Sequence, residues 1–486
     1  MPVSIIVAVI FGYFLMLIGI SWLTSRQADA ASFYTANRQS PWYLVAFGMI
    51  GATLSGVTFI SLPGEVGNSQ FSYFQLVLGY IPGYLTVIFI LLPLYYKLQL
   101  ITIYTYLEER FGYWAYKMGS FYFILSRTIG AAFRLFLVAG VLQIAVFDAL
   151  GIPFALTVVV AIGLIWLYTF RGGIKTIVIT DTLQTFFILA AVGTSVMAAA
   201  QALELSWWEI PGAVRESAYS QTWFWDDTGN HFFKQFFAGM FIAIVMTGLD
   251  QDMMQKNLTC RNLAEAQKNM LWFTGALVLV NLLFLGLGAL LYLYAEAEGI
   301  PMPERTDDLF PILALEHFPM AAAIFFLLGI TAAAYSSADS ALTSLTTTFC
   351  VDFLGIKPGE KENEKAIRLK VHAGFSVALF LIILLFHFIN DDSVISGVFT
   401  AAGYTYGPLL GLFACGLFTQ WKPKDKWIPL VCLASPLMAY SISWLAGAWL
   451  GYNFGFEILI LNGSLTLAGL GLISLSPSPN PSAPHV

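Results

Sequence analysis

The sequence predicts an all-α integral membrane protein with about thirteen transmembrane helices, each needing about 20 apolar residues to cross the hydrocarbon core. Its 486 residues are 58% hydrophobic and 11% charged, with a mean hydropathy of +0.75. Soluble domains carry about 25% charged residues, so this chain has too little polar surface to cover a globule in water. Lipid is therefore the predicted solvent for most of the chain.

The first apolar run follows no lysine or arginine and is longer than the core of a signal peptide, so it is predicted to be a retained span. Two later spans, 115–147 and 319–352, exceed the membrane thickness and should tilt or project beyond it. The predicted spans are 4–24, 41–63, 72–96, 115–147, 152–170, 175–201, 232–254, 270–294, 319–352, 366–389, 393–418, 427–448 and 454–474.

The distribution of the 23 lysines and arginines supports this count. With the N-terminus placed outside, 18 of them fall in cytoplasmic loops, Lys256 included, and three on the outer side, as the positive-inside rule requires. Arg127 and Arg134 fall within a span. We therefore expect a periplasmic N-terminus, a cytoplasmic C-terminus and a bacterial inner membrane. The basic residues predicted on the outer side are Arg215, Lys234 and Arg305.

The acidic outer loops 202–231 and 295–318 are predicted to form partly structured caps. The Pro- and Ser-rich tail, 475–486, is predicted to be disordered and cytoplasmic. We expect no soluble catalytic or signalling domain in so short a segment, and no metal site, because the sequence lacks a metal-ligand motif.

Six ionisable residues fall at bilayer depth, where a charge is costly and by default functional. The alternative is that they pair with one another as buried structural ion pairs. These residues are Arg127, Arg134, Asp181, Asp250, Asp252 and Asp339.

Two spans contain helix-weakening residues at their centres: MIGATLSGVTFISLPG from Met49 and VMTGLDQDMMQK from Val245. Gly, Ser, Thr and Asp favour local breaks, and an unwound segment is tolerated only where it lines a protein cavity. Interrupted spans at matching places in the stretches 41–201 and 232–418 predict an inverted-repeat transporter with its site at the midplane. Close helix packing through glycine is the alternative.

A third segment, TAAAYSSADSALTSLTTT from Thr331, places a stripe of hydroxyl groups and one carboxylate on a single helix. Hydroxyl, carbonyl and carboxylate oxygens suit a hard cation such as sodium. Packing of small residues against a neighbouring helix is the simpler explanation, but it does not account for an aspartate in mid-span.

At these positions the chain resembles the sodium/solute symporter family, whose members carry glucose, proline, choline or sialic acid. Four segments carry the resemblance: GGIKTIVITDTLQTFFIL from Gly172, DQDMMQKNLTCRNLAEAQ from Asp250, AAYSSADSALTS from Ala333 and YGPLLGLFACGLF from Tyr406. The resemblance implies a leucine-transporter-type fold with two inverted five-helix repeats in 41–418. One helix and a loop, 1–40, precede this core, and two helices, 419–474, follow it.

The resemblance also implies where the ligands bind. Sodium, as co-transported ion, would be held by carbonyls of the broken second span and by the hydroxyl helix, at Gly51, Leu54, Asp181, Ala333, Ser336 and Ser337. A second sodium site of some relatives would correspond to Asp339 and Ser340, and its presence is left open. The implied substrate-binding residues are Thr53, Ser55, Thr58, Phe71, Tyr73, Gln75, Arg127, Arg134, Asp250, Gln251 and Asp252.

The resulting expectation is a sodium-coupled symporter that imports a small polar solute such as a sugar, sugar acid or amino acid by alternating access. The sequence does not decide which of Arg127 and Arg134 faces the cavity. A proton-coupled carrier of the same fold and a membrane solute sensor are the alternatives. No nucleophile-and-base pattern supports an enzyme. The expected partners are the solute and the lipid bilayer; no nucleic acid and no obligate protein partner are expected.

Overall fold

The computed structural model describes residues 3–25, 35–169, 173–225, 229–356, 363–389 and 394–475. The first half of the chain folds into helices because its apolar runs are long and proline-poor. Proline lies inside α3 at Pro63 and inside α4 at Pro82. The helices of this half are α1 (Val3–Ser25), α2 (Trp42–Thr53), α3 (Gly56–Ser69), α4 (Ser72–Thr86), α5 (Leu92–Lys97), α6 (Thr105–Arg110), α7 (Tyr113–Leu142), α8 (Phe154–Thr169) and α9 (Gly173–Ala202).

The second half repeats this pattern of a bent pair followed by long helices. Short π-helical turns continue several helices, such as Ile244–Gly248 after α11 and Phe349–Phe353 after α15. The helices are α10 (Ile210–Glu216), α11 (Phe232–Ala243), α12 (Gln251–Asn257), α13 (Leu263–Ala297), α14 (Leu309–Ile312), α15 (Met320–Thr348), α16 (Glu364–Ile389), α17 (Val394–Phe418), α18 (Ile428–Leu450) and α19 (Ile458–Leu475).

Within the described residues, nine helices are long and apolar enough to cross a membrane, and two bent pairs raise the number to eleven. The pairs α2/α3 and α11/α12 bend by 56° and 66°, at the two places where the sequence predicts interrupted spans. Two shorter apolar helices, Phe154–Trp166 and Ile458–Ser474, lie where the fifth and thirteenth spans are predicted. The count of thirteen therefore stays a prediction.

The centre of the molecule is α15, which packs against α9, α7, α2 and α3. Every residue from Gly329 to Thr348 on this helix is buried, so its hydroxyl stripe faces protein on all sides. By contrast, α16 and α18 are mostly exposed and present large apolar side chains such as Leu381 and Leu437. This distribution places α15 in the core and α16 and α18 against lipid.

Both segments that the sequence predicts as outer caps contain a short helix: α10 lies in 202–231, and α14 lies in 295–318. The predicted cytoplasmic loop between α5 and α7 also contains a helix, α6, which the sequence analysis does not predict. Most of the C-terminal tail, from residue 476, lies outside the described residues.

Candidate functional site

The bend between α2 and α3 interrupts the helical hydrogen bonds at mid-span. The Leu54 backbone has a ψ of 65°, and the Ser55 amide donates to the Thr53 carbonyl (2.8 Å) instead of four residues back. Before the bend, the Gly51 amide donates to the Thr185 hydroxyl on α9 (3.0 Å). A Cβ at position 51 would lie 2.2 Å from that hydroxyl oxygen, so glycine is required for this close approach of α2 to α9.

Two adjacent hydroxyls of α15 reach this bend and its neighbour α9. Ser337 donates to the Ala52 carbonyl (3.4 Å), and Ser336 donates to Asp181 Oδ1 on α9 (2.6 Å). Ala333 lies one turn before Ser337 and shares its face of the helix. The structure thus brings the predicted sodium ligands of three separate helices, α2, α9 and α15, to one buried place.

The residues of the second predicted sodium site lie one turn further along α15. Asp339 and Ser340 are both buried, and the Ser340 amide donates to Asp339 Oδ1 (2.5 Å). The Ser340 hydroxyl has no hydrogen-bond partner within the described part of the chain. Both residues therefore lie near the first site.

Lys256 is a charged residue of this region that sequence reasoning places wrongly. The charge distribution assigns it to a cytoplasmic loop, but its side chain is 1% exposed and its Nζ lies 2.8 Å from Asp181 Oδ2. It occupies the last turn of α12, so the bend after α11 carries the chain back into the protein rather than out to water. The available signal in the sequence was that the interrupted segment VMTGLDQDMMQK includes Lys256 as its last residue.

The bend between α11 and α12 is held by a charged network. Asp250 caps α12 by accepting from the amides of Asp252 (2.9 Å) and Met253 (3.3 Å), as expected at a helix N-terminus. Its second oxygen accepts from the Tyr406 hydroxyl (2.5 Å). Arg127 forms an ion pair with Asp252 and lies 4.0 Å from Asp250. The two aspartates therefore fix Arg127.

Gln251, between these aspartates, has a different role. Its side chain accepts from the Ile103 amide (2.9 Å) and donates to the Ile101 carbonyl (2.8 Å). It therefore ties α12 to the segment before α6. Gln251 and its two neighbours are fully buried and do not line the cavity described next.

A cavity opens between the two bends, lined by side chains of α2, α3, α4, α7 and α11. Its lining includes side chains that the sequence did not single out, such as Asn281 and Thr247. The predicted substrate residues that line it are Thr53, Ser55, Thr58, Tyr73, Arg127 and Arg134.

Phe71 and Gln75 do not line this cavity. The Phe71 amide donates to the Gln221 carbonyl (3.0 Å), and the Gln75 side chain bonds the backbone of Phe224 and Asn230. These two residues therefore hold the segment 202–231, the predicted outer cap, against α4.

The two arginines of the cavity differ in their partners. Arg127 is neutralised by Asp252 and Asp250, whereas no carboxylate of the described residues lies within 4.0 Å of Arg134. Arg134 is 8% exposed, and its buried Nε has no hydrogen-bond partner in the same ranges. Among the cavity's lining residues, the charged ones are these two arginines. The cavity therefore has a guanidinium at Arg134 that no carboxylate of the described residues contacts directly; Asp250 acts on it only at longer range.

Comparison with known proteins agrees with this geometry. A sequence model of the sodium:solute symporter family matches residues 33–422. The chain belongs to the sodium:solute symporter family. Sodium-coupled solute symport is thus its function, and sodium is its co-transported ion. The expectations of family, coupling ion and transport are confirmed, and family and relatives are transporters rather than enzymes.

The relatives include sodium/sialic acid symporter SiaT of Proteus mirabilis, 24% identical over 85% of this chain and 84% of that protein. Sodium/sialic acid symporter NanT of Aliivibrio fischeri is 26% identical over 84% of this chain and 81% of its own. A putative sodium-dependent multivitamin transporter of Drosophila melanogaster is 25% identical over 88% of this chain and 71% of its own.

Solved structures show the same fold. A Na+-coupled sialic acid symporter in a substrate-bound outward-open state has a TM-score of 0.82, with 20% identity and 97% coverage of both chains. Mhp1, a nucleobase-cation-symport-1 family transporter in a closed conformation, has a TM-score of 0.55 with 15% identity, covering 92% of this chain and 95% of its own.

In the described ranges, no group of three or more His, Cys, Asp or Glu could hold a metal ion.

Proposed function

We propose that the transported solute is a small organic anion whose carboxylate binds Arg134. The observation that carries this proposal is the contrast between the arginines: Arg127 has two aspartate partners, and Arg134 lines the cavity without one. A buried guanidinium that no carboxylate contacts directly is costly, and a carboxylate is the group it binds best, through two parallel hydrogen bonds. An arriving anion would supply this direct contact.

The rest of the cavity suits the remainder of such a solute. Hydroxyls of Thr53, Ser55 and Thr58 come from the α2/α3 bend, and aromatic rings of Tyr73, Tyr80 and Tyr84 come from α4. Hydroxyl groups bind polar substituents, while tyrosine rings contact apolar ones and offer a hydroxyl as well. Sialic acid, the solute named for two relatives, is an acidic sugar of this chemistry.

Sodium would bind at the α2/α3 bend, to the carbonyls of Gly51, Ala333 and Leu54 and the hydroxyls of Ser336 and Ser337. Such an ion ties α2 to α15, whereas the solute contacts α2, α4, α7 and α11. Because α2 belongs to both sites, sodium and solute stabilise the same position of the broken helix. Each ligand then raises the affinity of the other by an equal factor.

We also propose an arrangement of the helices in the membrane. We assign thirteen spans, with α8 and α19 crossing as the shorter two, and a ten-helix core at 41–418 made of the repeats 41–201 and 232–418. The helices at 419–474 would lie outside the core. The protein would lie in a bacterial inner membrane with its N-terminus periplasmic and its C-terminus cytoplasmic, and alternating access would move one repeat against the other.

Substitution of the two arginines tests the solute assignment. Arg134→Gln should weaken binding of an acidic solute by about 2 kcal/mol, roughly 30-fold, because one charged hydrogen-bond partner is lost. Solute-dependent melting of purified protein in sodium measures this effect, with sialic acid and a short monocarboxylate as anions and glucose as the neutral control.

The matched control is Arg127→Gln. It leaves Asp250 and Asp252 without their cation, so it should lower the melting temperature in the absence of solute more than Arg134→Gln does. Glucose binding as tightly as the acids, or Arg134→Gln leaving anion binding unchanged, would contradict the proposal.

A further inference from the structure

Lys256 is a lysine inside the membrane-spanning core. It is 1% exposed, and its Nζ lies 2.8 Å from Oδ2 of Asp181, which is also 1% exposed. Two such charges are stable in a buried place only when they meet each other. The pair joins the end of the broken helix of the second repeat, α12, to α9 of the first repeat.

The chain also occupies the other oxygen of the Asp181 carboxylate. Oδ1 accepts from the Ser336 hydroxyl (2.6 Å). With its amide turned to satisfy both ends, Gln184 donates to the same oxygen (3.0 Å) and accepts from the Tyr13 hydroxyl. One oxygen of Asp181 therefore accepts hydrogen bonds from the chain, and the other lies in an ion pair with a full positive charge.

This ion pair adjoins the proposed sodium site, because Ser336 belongs to both. A sodium ion at the α2/α3 bend would be surrounded by neutral carbonyls and hydroxyls, with the Asp181–Lys256 pair beyond Ser336. An additional sodium ion on Asp181 would have to lie beside the ammonium group. Two like charges a few ångströms apart repel strongly at this depth.

We propose that the Lys256 ammonium is a built-in cation that holds Asp181 in place of a second sodium ion, so that the site at the α2/α3 bend takes one sodium ion. The inference rests on the proposed position of that site. Asp181 is then a positioning residue: it orients Ser336 and neutralises Lys256, and it does not coordinate the ion itself.

Sodium binding to the purified, solute-free protein tests this. Calorimetry or thermal melts would be recorded against NaCl, with N-methylglucamine chloride keeping the ionic strength constant. With Asp339→Asn as background, which removes the carboxylate of the second predicted sodium site, the protein should bind sodium with a Hill coefficient of about one. Lys256→Met frees the Asp181 carboxylate for a cation, so its Hill coefficient should rise above one.

Removal of the carboxylate charge at Asp181 gives the second part of the test. Asp181→Asn leaves the ammonium unpaired beside the site, which should weaken sodium binding on the order of tenfold or more. The double variant Asp181→Asn with Lys256→Met removes both charges and should restore single-site binding near the wild-type affinity. Lys256→Arg, which keeps the cation, and Lys268→Met, at an exposed lysine, are the matched controls and should behave as the wild type.

Two sodium ions bound in the Asp339→Asn background would overturn the inference and leave the sodium site at the bend intact. Lys256→Met with wild-type sodium binding would do the same. Where Lys256→Met does not fold, the comparison of Asp181→Asn with the double variant decides: restored affinity supports the inference, and equally weak affinity overturns it. No response to sodium in any variant would overturn the proposed site as well.

Discussion

At the scale of single residues, buried charges define what this protein can bind. Asp252 and Asp250 contact Arg127, Asp181 meets Lys256, and Arg134 lines the cavity without a carboxylate in direct contact. We therefore propose that the paired charges hold the walls of the site and that Arg134 binds the solute. The bend of α2 contributes only uncharged oxygens, which suit a small monovalent cation better than an organic one.

The hydroxyl of Ser337 gives a direct test of the sodium site. Ser337→Ala removes one ligand and should raise the half-saturating sodium concentration about tenfold, equivalent to about 1.4 kcal/mol, with expression unchanged. Sodium-dependent melting or uptake measures the change.

Ser344→Ala is the matched control on the same helix, because its hydroxyl donates to the Ala341 carbonyl of its own turn (3.0 Å). It should leave the sodium dependence unaltered. Equal responses of the two variants to sodium would remove Ser337 from the site.

At the scale of helices, function depends on two bends and on unusually close contacts beside them. The α2/α3 pair turns by 56° and the α11/α12 pair by 66°, and both bent segments border the cavity. Close packing of α4 against α11 supports the second bend: a Cβ at Gly239 would lie 2.0 Å from the Leu76 carbonyl oxygen. Within the first interrupted segment, Gly51 packs closely against Thr185, so close packing through glycine and unwinding occur together there.

Gly239→Ala should push α4 and α11 apart and destabilise the protein by about 1–3 kcal/mol, the usual cost of overpacking. Gly286→Ala on α13 is the control, since nothing lies within 4 Å of its added Cβ and alanine favours the helix. A lower melting temperature for the first variant alone is the expected result. A similar melting temperature for both would show that the α4/α11 contact is not tight in solution.

At the scale of the whole molecule, the predicted orientation places the cap 202–231 outside and the segment before α16 in the cytoplasm. The four native cysteines, Cys260, Cys350, Cys415 and Cys432, are free and buried, so they should react slowly with maleimides. Glu209 and Lys365 are exposed on opposite predicted sides. A cysteine introduced at each position therefore reports the side of the membrane.

In intact cells, a membrane-impermeant maleimide should label Glu209→Cys at once and Lys365→Cys only after permeabilisation. The cysteine-containing wild type gives the background. Labelling in the reverse order would show that the predicted orientation is inverted. Either the N-terminus would then be cytoplasmic, or the number of spans before position 209 would be odd rather than even.

The sequence by itself determined the membrane environment, the two interrupted spans, the hydroxyl helix and the family. These depend on composition and local spacing, because lipid demands long apolar helices and a weak helix centre is written in its own residues. Most charged residues at bilayer depth were also visible as exceptions to that rule. Such signals need no knowledge of which helix lies beside which.

Only the tertiary structure decided how those charges pair. The sequence placed Lys256 in a loop, whereas the bend before α12 buries it against Asp181. This aspartate lies on α9, 75 residues earlier in the chain. It could not separate Arg127 from Arg134, which share a face of α7 two turns apart. Their difference lies in aspartates on another helix, and a pairing between distant segments is fixed by packing, not by local pattern.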